Sequence, residues 1–503
     1  MNVKEVFSDW IGSAVWLRGL LLFLVAAGLS ALTQVFLFDS IPHVTDAAAH
    51  LFQAKLIARG RISATVPPCY DSFFQFYLLM TSDGRWFSRY PPGWPLLLAG
   101  AMRLQLLPAL GPVLAGLGTL FSFELFRRWL SPKLALLAGL LVATSPMLVL
   151  LGGSYMSHTP SMALFALALW MLLHGVDRPQ YWARVSWVLT AGFATGWAVL
   201  VRPQDAILMG PVGLAAWFLA PSSRRSNLTR VAPWFFLGTI GPLGFLAWWN
   251  IQQYGRPLAM GYYTWKGVGV RNLVPLLDSG YGFTETFTFR RALSEEFYTL
   301  WRFNCAAFGW PASFALALLT VARMKFRSPE TIAWLALIWN AIFFLGYDYY
   351  GMEYEARFYT TAVPFLAFLT ARGASLLSER IGRRLTCWLL ASFVGYGMFF
   401  YIPFRLIPAY ACGYEEVVPG LDRSAAHLRE PSLILIPQED GNTFRYTSGF
   451  IHNDPWLTGC VVFARDLGGG GLDCLRNSFP ERALYRFEPS PSWQSGRVVP
   501  VPP

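Results

Sequence analysis

The sequence predicts an all-α polytopic membrane protein of about eleven transmembrane helices, with interfacial helices in its first external loop and a small external α/β domain at its C-terminus. Three observations predict this. Of 503 residues, 54% are apolar and only 14% charged, where soluble chains carry roughly a quarter charged residues. Apolar stretches long enough to cross about 30 Å of hydrocarbon at about 1.5 Å per residue recur along the chain. Short arginine-rich segments lie between alternate stretches. The formal charge of +11 thus belongs to the flanks of spans and not to a nucleic-acid surface, and 40 Phe, 21 Trp and 21 Tyr exclude a disordered chain.

In chain order the expected spans are 17–38, 108–126, 134–152, 160–176, 185–201, 206–221, 232–250, 306–322, 331–347, 358–375 and 386–404, which make 1–404 a transmembrane domain. The first is too long for a removable signal peptide and lacks its cleavage flank, so it is read as retained. Fifteen basic residues fall in five loops: Arg127, Arg128 and Lys133; Arg178 and Arg184; Arg224, Arg225 and Arg230; Arg323, Lys325 and Arg327; Arg372, Arg380, Arg383 and Arg384. The positive-inside bias puts these loops and the N-terminus in the cytoplasm. An odd number of spans then leaves the C-terminus outside, in the periplasm if the membrane is a bacterial inner membrane.

The external side holds the unusual residues. In the first loop (39–92), Asp46–Gly60 has Ala47, Leu51, Ala54 and Ile57 or Ala58 at helical spacing, the pattern of an interfacial amphipathic helix. A second such helix starts after Pro91-Pro92-Gly93-Trp94-Pro95. A second large loop covers 251–305. The tail, 405–503, alternates β-like runs (Leu433–Ile436, Val461–Ala464) with turns, which predicts a small mixed domain. Its Gly468–Gly471 run lacks the lysine and Ser/Thr of a phosphate-binding loop and reads as a flexible turn. Cys305 and Cys387 fall in or beside spans. Cys69, Cys412, Cys460 and Cys474 fall outside, where disulfides form, and Cys460 with Cys474 would close a 15-residue segment. The sequence has no CxxC or HExxH motif for a dedicated zinc site.

Charge at membrane depth is costly, so charged residues at external span ends are candidates for a buried polar site. Asp46 begins a helix just past the first span, with His50 one turn later on the same face. It could also serve only as an N-cap. Arg85, Arg89 and Tyr90 precede the paired prolines, Tyr155, Ser157 and His158 occupy a turn, Arg202-Pro203-Gln204-Asp205 interrupts two spans, and Tyr354, Glu355, Arg357 and Tyr359 lead into another.

Thr45-Asp46 after a first span, Arg89-Tyr90-Pro91-Pro92, the span ending in Ser145-Pro146, and Arg357-Phe358-Tyr359 with Pro364 together resemble the GT-C glycosyltransferase superfamily. Within it the chain most resembles the protein O-mannosyltransferase and lipid A aminoarabinose transferase branch, over roughly residues 15–375. Where members commonly carry a second acidic residue after the aspartate this sequence has Ala47. Where many carry lysine before the prolines it has Tyr90, with Arg89 adjacent. The resemblance implies transfer of a sugar from a polyprenyl-phosphate donor to a hydroxyl of a lipid, glycan or protein acceptor at the external face, with Asp46 as general base. Arg89, Arg202, Lys266, Arg271 and Arg357 are the candidates to stabilise the departing phosphate, and His50, Tyr90, His158 and Tyr359 are further substrate-binding candidates. No cofactor is implied. A metal is not required for such a leaving group, and a divalent ion remains compatible with it. The alternative is a transporter or flippase, which would favour internal repeats and a mid-membrane site; no repeat is visible, and the polar residues crowd one side. A silent scaffold with a partner-binding tail is a third reading.

Overall fold

The computed structural model describes residues 15–261, 282–348, 353–410, 420–438, 445–490 and 495–501. Cys412, Lys266 and Arg271 lie outside them. Helix α1 (Val15–Phe36) crosses first. It is followed by α2 (Thr45–Ala58) and α3 (Gly93–Arg103) in the loop region. The bundle then continues with α4 (Leu107–Phe126), α5 (Pro132–Ala143), α6 (Pro146–Gly153), α7 (His158–Val176), α8 (Tyr181–Val201), α9 (Pro203–Leu219) and α10 (Ser222–Tyr254). Its later part is α11 (Phe289–Ala306), α12 (Phe314–Leu318), α13 (Pro329–Leu345), α14 (Val363–Ile381) and α15 (Arg383–Tyr396).

Among the described residues, seven helices are long and apolar enough to cross a membrane, and the bent pair α5–α6 makes an eighth if counted as one crossing. The chain is therefore a multi-pass membrane protein. The 49° bend lies at Ser145-Pro146, where proline disfavours helical geometry in the residue before it. The expected spans 206–221 and 331–347 fall on helices of 17 residues. The expected span 306–322 is corrected: only Phe314–Leu318 and one 3₁₀ turn are helical there. Gly309 in the left-handed region (φ 68°) follows the end of α11, and Pro311 cannot donate to a continuing ladder. Helices α8 and α10 approach to backbone contact. A Cβ on Gly192 would lie 2.0 Å from the Phe235 carbonyl oxygen, the close packing that small residues allow between membrane helices.

The arginine-rich loops meet at one end of the bundle. Asp177 pairs with Arg128 and with Arg224 (3.1 Å), Arg184 donates to Asn227 (3.0 Å), and Arg372 pairs with Glu330 (2.7 Å).

The first external loop and the C-terminal tail share one core. The first loop contributes an antiparallel sheet of β1 (Ala64–Thr65), β3 (Arg85–Ser88) and β2 (Leu78–Met80), in that order. The tail contributes β4 (Ser432–Pro437), β5 (Val461–Asp466), β6 (Ala483–Pro489) and β7 (Gly496–Pro500), ordered β5-β4-β6-β7. Strand β4 is parallel to both neighbours, as its continuous apolar run, Leu433–Ile436, suits. The Gly468–Gly471 run opens a helix, α16 (Gly469–Ser478), after Gly468 and Gly469 at positive φ. That helix is the crossover between β5 and β6.

Helix α2 lies between two layers. Its Ala47, Leu51 and Ala54 pack on the bundle, while Ala48, Ala49, Phe52 and Leu56 pack with Leu433, Ile434, Phe450 and Phe463 of the tail. Lys55 donates to the carbonyls of Ile451 and Asn453 (2.8 Å), so a cation of the loop is held by tail carbonyls. The expected Cys460–Cys474 bridge is overturned: Cys474 on α16 bonds Cys69 of the loop, 405 residues away, and Cys460 is free and exposed.

Candidate active site

Asp46 sits in the first turn of α2, where the N-cap position is Val44 and no side chain caps the helix. The capping reading thus does not hold. The carboxylate instead accepts a hydrogen bond from the Tyr90 hydroxyl at 2.6 Å. Tyr90 reaches it because β3 is anchored to α2: the Ser88 amide donates to Gln53 Oε1 (3.0 Å), and the Tyr90 amide donates to Ser88 Oγ (3.3 Å). A Cβ on Gly93 would lie 2.5 Å from the Leu200 carbonyl carbon, so glycine lets α3 press on the end of α8, next to Arg202.

Around this pair the structure gathers most of the expected residues. The His50 ring lies 4.3 Å from that of Tyr90, and its Nδ1 has no hydrogen-bond partner among the described residues. The Arg89 guanidinium lies over the Tyr77 ring at 3.9 Å. Arg202 pairs with Asp205 at 3.3 Å, and it lies 5.6 Å from the Phe358 ring. His158 is buried at the start of α7, neither ring nitrogen bonded among the described residues, with its ring 5.6 Å from Phe358. Arg357 opens the 3₁₀ segment Arg357–Ala362 and pairs with Glu353 at 3.0 Å. The charges of Arg89, Arg202, Arg357 and Asp46 all act on the Tyr347 phenol, which places the arginines around one locus. Tyr359 is joined elsewhere: its hydroxyl donates to Glu296 on α11, and its ring stacks on Phe303 at 5.0 Å.

Sequence reasoning missed Tyr77, Gln53, Glu353 and Glu296. A polar residue buried one or two turns after Asp46 was a usable signal only for Gln53. The others depend on contacts across the fold.

The electrostatics follow from this packing. Burial alone would raise the Asp46 carboxyl, but the Arg357 charge, the Tyr90 hydrogen bond and Arg89 together hold it below the ordinary carboxylate range. Burial pushes His50 down to about 3, with Arg202 and Arg89 acting in the same direction and Asp46 against it. The site therefore presents a carboxylate, a neutral imidazole and several guanidiniums. Among the described residues no group of three or more His, Cys, Asp or Glu side chains could hold a metal ion, and the position after Asp46 is the buried Ala47.

His50 gives a pH prediction. Between about 6.5 and about 3 the unfolded imidazole binds a proton that the folded one refuses, so stability falls as pH falls through that window. Melting temperatures of the purified protein from about pH 7 to about pH 4 should show a flatter decline in His50→Gln than in the parent. Parallel curves would refute the assignment.

The family model described as dolichyl-phosphate-mannose-protein mannosyltransferase matches residues 91–249. No curated protein matches the sequence. Among solved structures, ArnT from Cupriavidus metallidurans bound to undecaprenyl phosphate is similar at 15% identity, with a TM-score of 0.52 over 97% of this chain and 98% of that one. The same protein in the apo state gives a TM-score of 0.50 at 15% identity over 92% and 88%. The Archaeoglobus fulgidus oligosaccharyltransferase tethered with an acceptor peptide gives 0.51 at 15% identity, over 88% of this chain and 64% of its own length. The chain has the membrane fold of the GT-C glycosyltransferases, as the resemblance of its motifs implied, and carries the mannosyltransferase family pattern across its α3–α10 region.

Proposed function

We propose that the protein is a glycosyltransferase that moves a sugar from a polyprenyl-phosphate donor to an acceptor hydroxyl, with the reaction at the external face of a bacterial inner membrane. The observation that carries this reading is one Asp46 carboxylate, hydrogen-bonded to Tyr90, in the field of guanidiniums from separate turns. The acceptor oxygen forms a bond to the anomeric carbon, the bond from that carbon to the phosphate oxygen breaks, and the electron pair leaves with the polyprenyl phosphate. Asp46 takes the acceptor proton. Arg89, Arg202 and Arg357 offset the negative charge on the leaving phosphate, whose oxygens match planar guanidinium groups. Two structures of similar fold support this ligand class: one holds undecaprenyl phosphate and another a tethered acceptor peptide.

The test is transfer by the full chain in proteoliposomes, using polyprenyl phosphates that carry radiolabelled sugars. Label should leave the carrier and appear on an acceptor or in water. Label that crosses the bilayer still attached to its carrier would make the protein a flippase instead.

The sidedness rests on the five basic loops, several of which meet around Asp177 and Glu330. Reporter fusions after residues 130, 225 and 380 should read cytoplasm, and one after 480 the exterior. A cytoplasmic reading at 480 would reverse the face on which Asp46 works.

A further inference from the structure

A cavity of about 340 Å³ lies inside the bundle, between α4, α7, α9, α13 and α14. Its body is apolar: Phe165, Leu169, Val212, Ile332 and Phe365 line it, and the Ser122 hydroxyl in its wall is already bonded to the Gly118 carbonyl at 2.7 Å. A buried water needs about two to four polar partners, so these walls suit hydrocarbon instead. The remaining polar lining, Arg224, Arg327 and Ser328, is gathered at one end, where α10 and α13 begin. Trp129 and Trp217 line the same end, and tryptophan favours the headgroup level of a bilayer. That end is the far one from Asp46: α7 starts at His158 and is followed at its other end by Asp177, the partner of Arg224.

Cations outnumber acids around this mouth. Arg224 shares Asp177 with Arg128, so one carboxylate answers two guanidiniums. Arg323, Lys325 and Arg327 follow within one exposed turn, and none of them has an acidic partner among the described residues; Glu330 nearby is taken by Arg372 at 2.7 Å. Met324 and Phe326 alternate with these cations and are themselves 41% and 79% exposed. Such alternation fits a segment at the membrane surface, where apolar side chains enter the acyl layer and cations reach the lipid phosphates. On the α9 side the wall is thin. Gly213 and Ala216 line it, and a Cβ on Gly213 would meet nothing outside its own helix within 4 Å, which leaves a lateral opening for a chain entering from the bilayer.

We infer that this cavity holds one acyl chain of an anionic phospholipid from the leaflet at the arginine-rich end, with the lipid phosphate against Arg224 and Arg327. The apolar body takes the chain, the planar guanidinium groups match the phosphate oxygens, and the uncompensated turn 323–327 selects a headgroup with net negative charge. The volume lies within the about 300–1,000 Å³ of small-molecule sites. A sugar donor is a different occupant, because its phosphate has to lie at the Asp46 end, across the bundle. The leaflet is the cytoplasmic one in the topology given above, and the site itself depends neither on that topology nor on the transferase reading.

The probe is phosphatidylglycerol with a photoreactive diazirine midway along one acyl chain, present as a minor component of phosphatidylcholine nanodiscs that hold the full chain. Peptides covering 165–173 and 212–221 should carry a saturable label that unlabelled phosphatidylglycerol competes away and glycerol phosphate does not. The same diazirine on phosphatidylcholine should label them far less. Arg327→Gln, at an exposed side chain that folding does not need, should weaken binding about three- to tenfold, and Arg224→Gln/Arg327→Gln about ten- to thirtyfold, the usual effect of one and of two basic groups near an anionic lipid. Gly213→Phe, whose Cβ has open space, should block the opening and lower the saturable label. Label confined to the outer face of α10 around 236–243, equal labelling by the phosphatidylcholine probe, displacement by glycerol phosphate, or parental labelling in all three variants would overturn the assignment.

Discussion

Asp46→Asn is expected to lower sugar transfer by roughly 10²–10⁴-fold, the usual contribution of a positioned general base, in a protein that still folds and inserts. The structure sharpens this expectation because the carboxylate caps no helix end. It accepts a hydrogen bond from the Tyr90 hydroxyl, and an asparagine side-chain oxygen can accept that bond in the same place. Stability should then change by under about 1 kcal/mol, the scale of one such bond. What Asn cannot do is accept the proton of the acceptor. Transfer assays and melting curves of the reconstituted variant decide the matter, and near-parental transfer would return Asp46 to a purely structural role.

Arg357→Gln is the second large effect, with transfer reduced by about 10²–10³-fold, as when one donor to a developing oxyanion is removed. Arg357 is buried and paired with Glu353, so the single variant also strands an acidic partner, and a loss of activity could come from misfolding. The double variant Arg357→Gln/Glu353→Gln removes both charges. It should recover the melting temperature lost in the single variant and recover none of the transfer. A pH signature accompanies this. Burial favours the neutral Asp46 carboxyl, and Arg357 is the leading charge that opposes it. Without Arg357 the Asp46 carboxyl titrates higher, and the acid limb of the pH–rate profile should move to higher pH. A double variant with parental transfer, or an unmoved acid limb, would remove Arg357 from the chemistry.

Much of the site was legible because charge is scarce in this chain. Asp46, Arg89, Arg202 and Arg357 stood out against apolar spans, and the structure brings all four within electrostatic reach of Tyr347. Tyr359 was read by its neighbourhood in the chain, and the fold commits it to Glu296 instead. A 3₁₀ segment turns successive residues to different sides, so adjacency to Arg357 does not carry Tyr359 to the same partners. Lys266 and Arg271 lie outside the described residues. Glu355 stood out in its turn, but its pairing with Arg302 and Arg405 was not legible, because those residues come from α11 and the last long helix.

Local patterns determined the elements: hydropathy placed the long spans, Pro146 bent α5 against α6, and the apolar runs 433–436 and 461–464 became the parallel strands β4 and β5. These follow from interactions within a few residues, which the order of side chains encodes directly. The tertiary structure alone decided how elements cover one another. The helix Asp46–Gly60 read as interfacial because one stripe of it is apolar, yet the tail sheet covers its other side and holds Lys55 through tail carbonyls. The cysteine nearest Cys474 in the outer tail lost to Cys69, 405 residues away. In both cases the partner is chosen by which surfaces the packed core brings within bonding distance, a property of the whole chain that no local spacing contains.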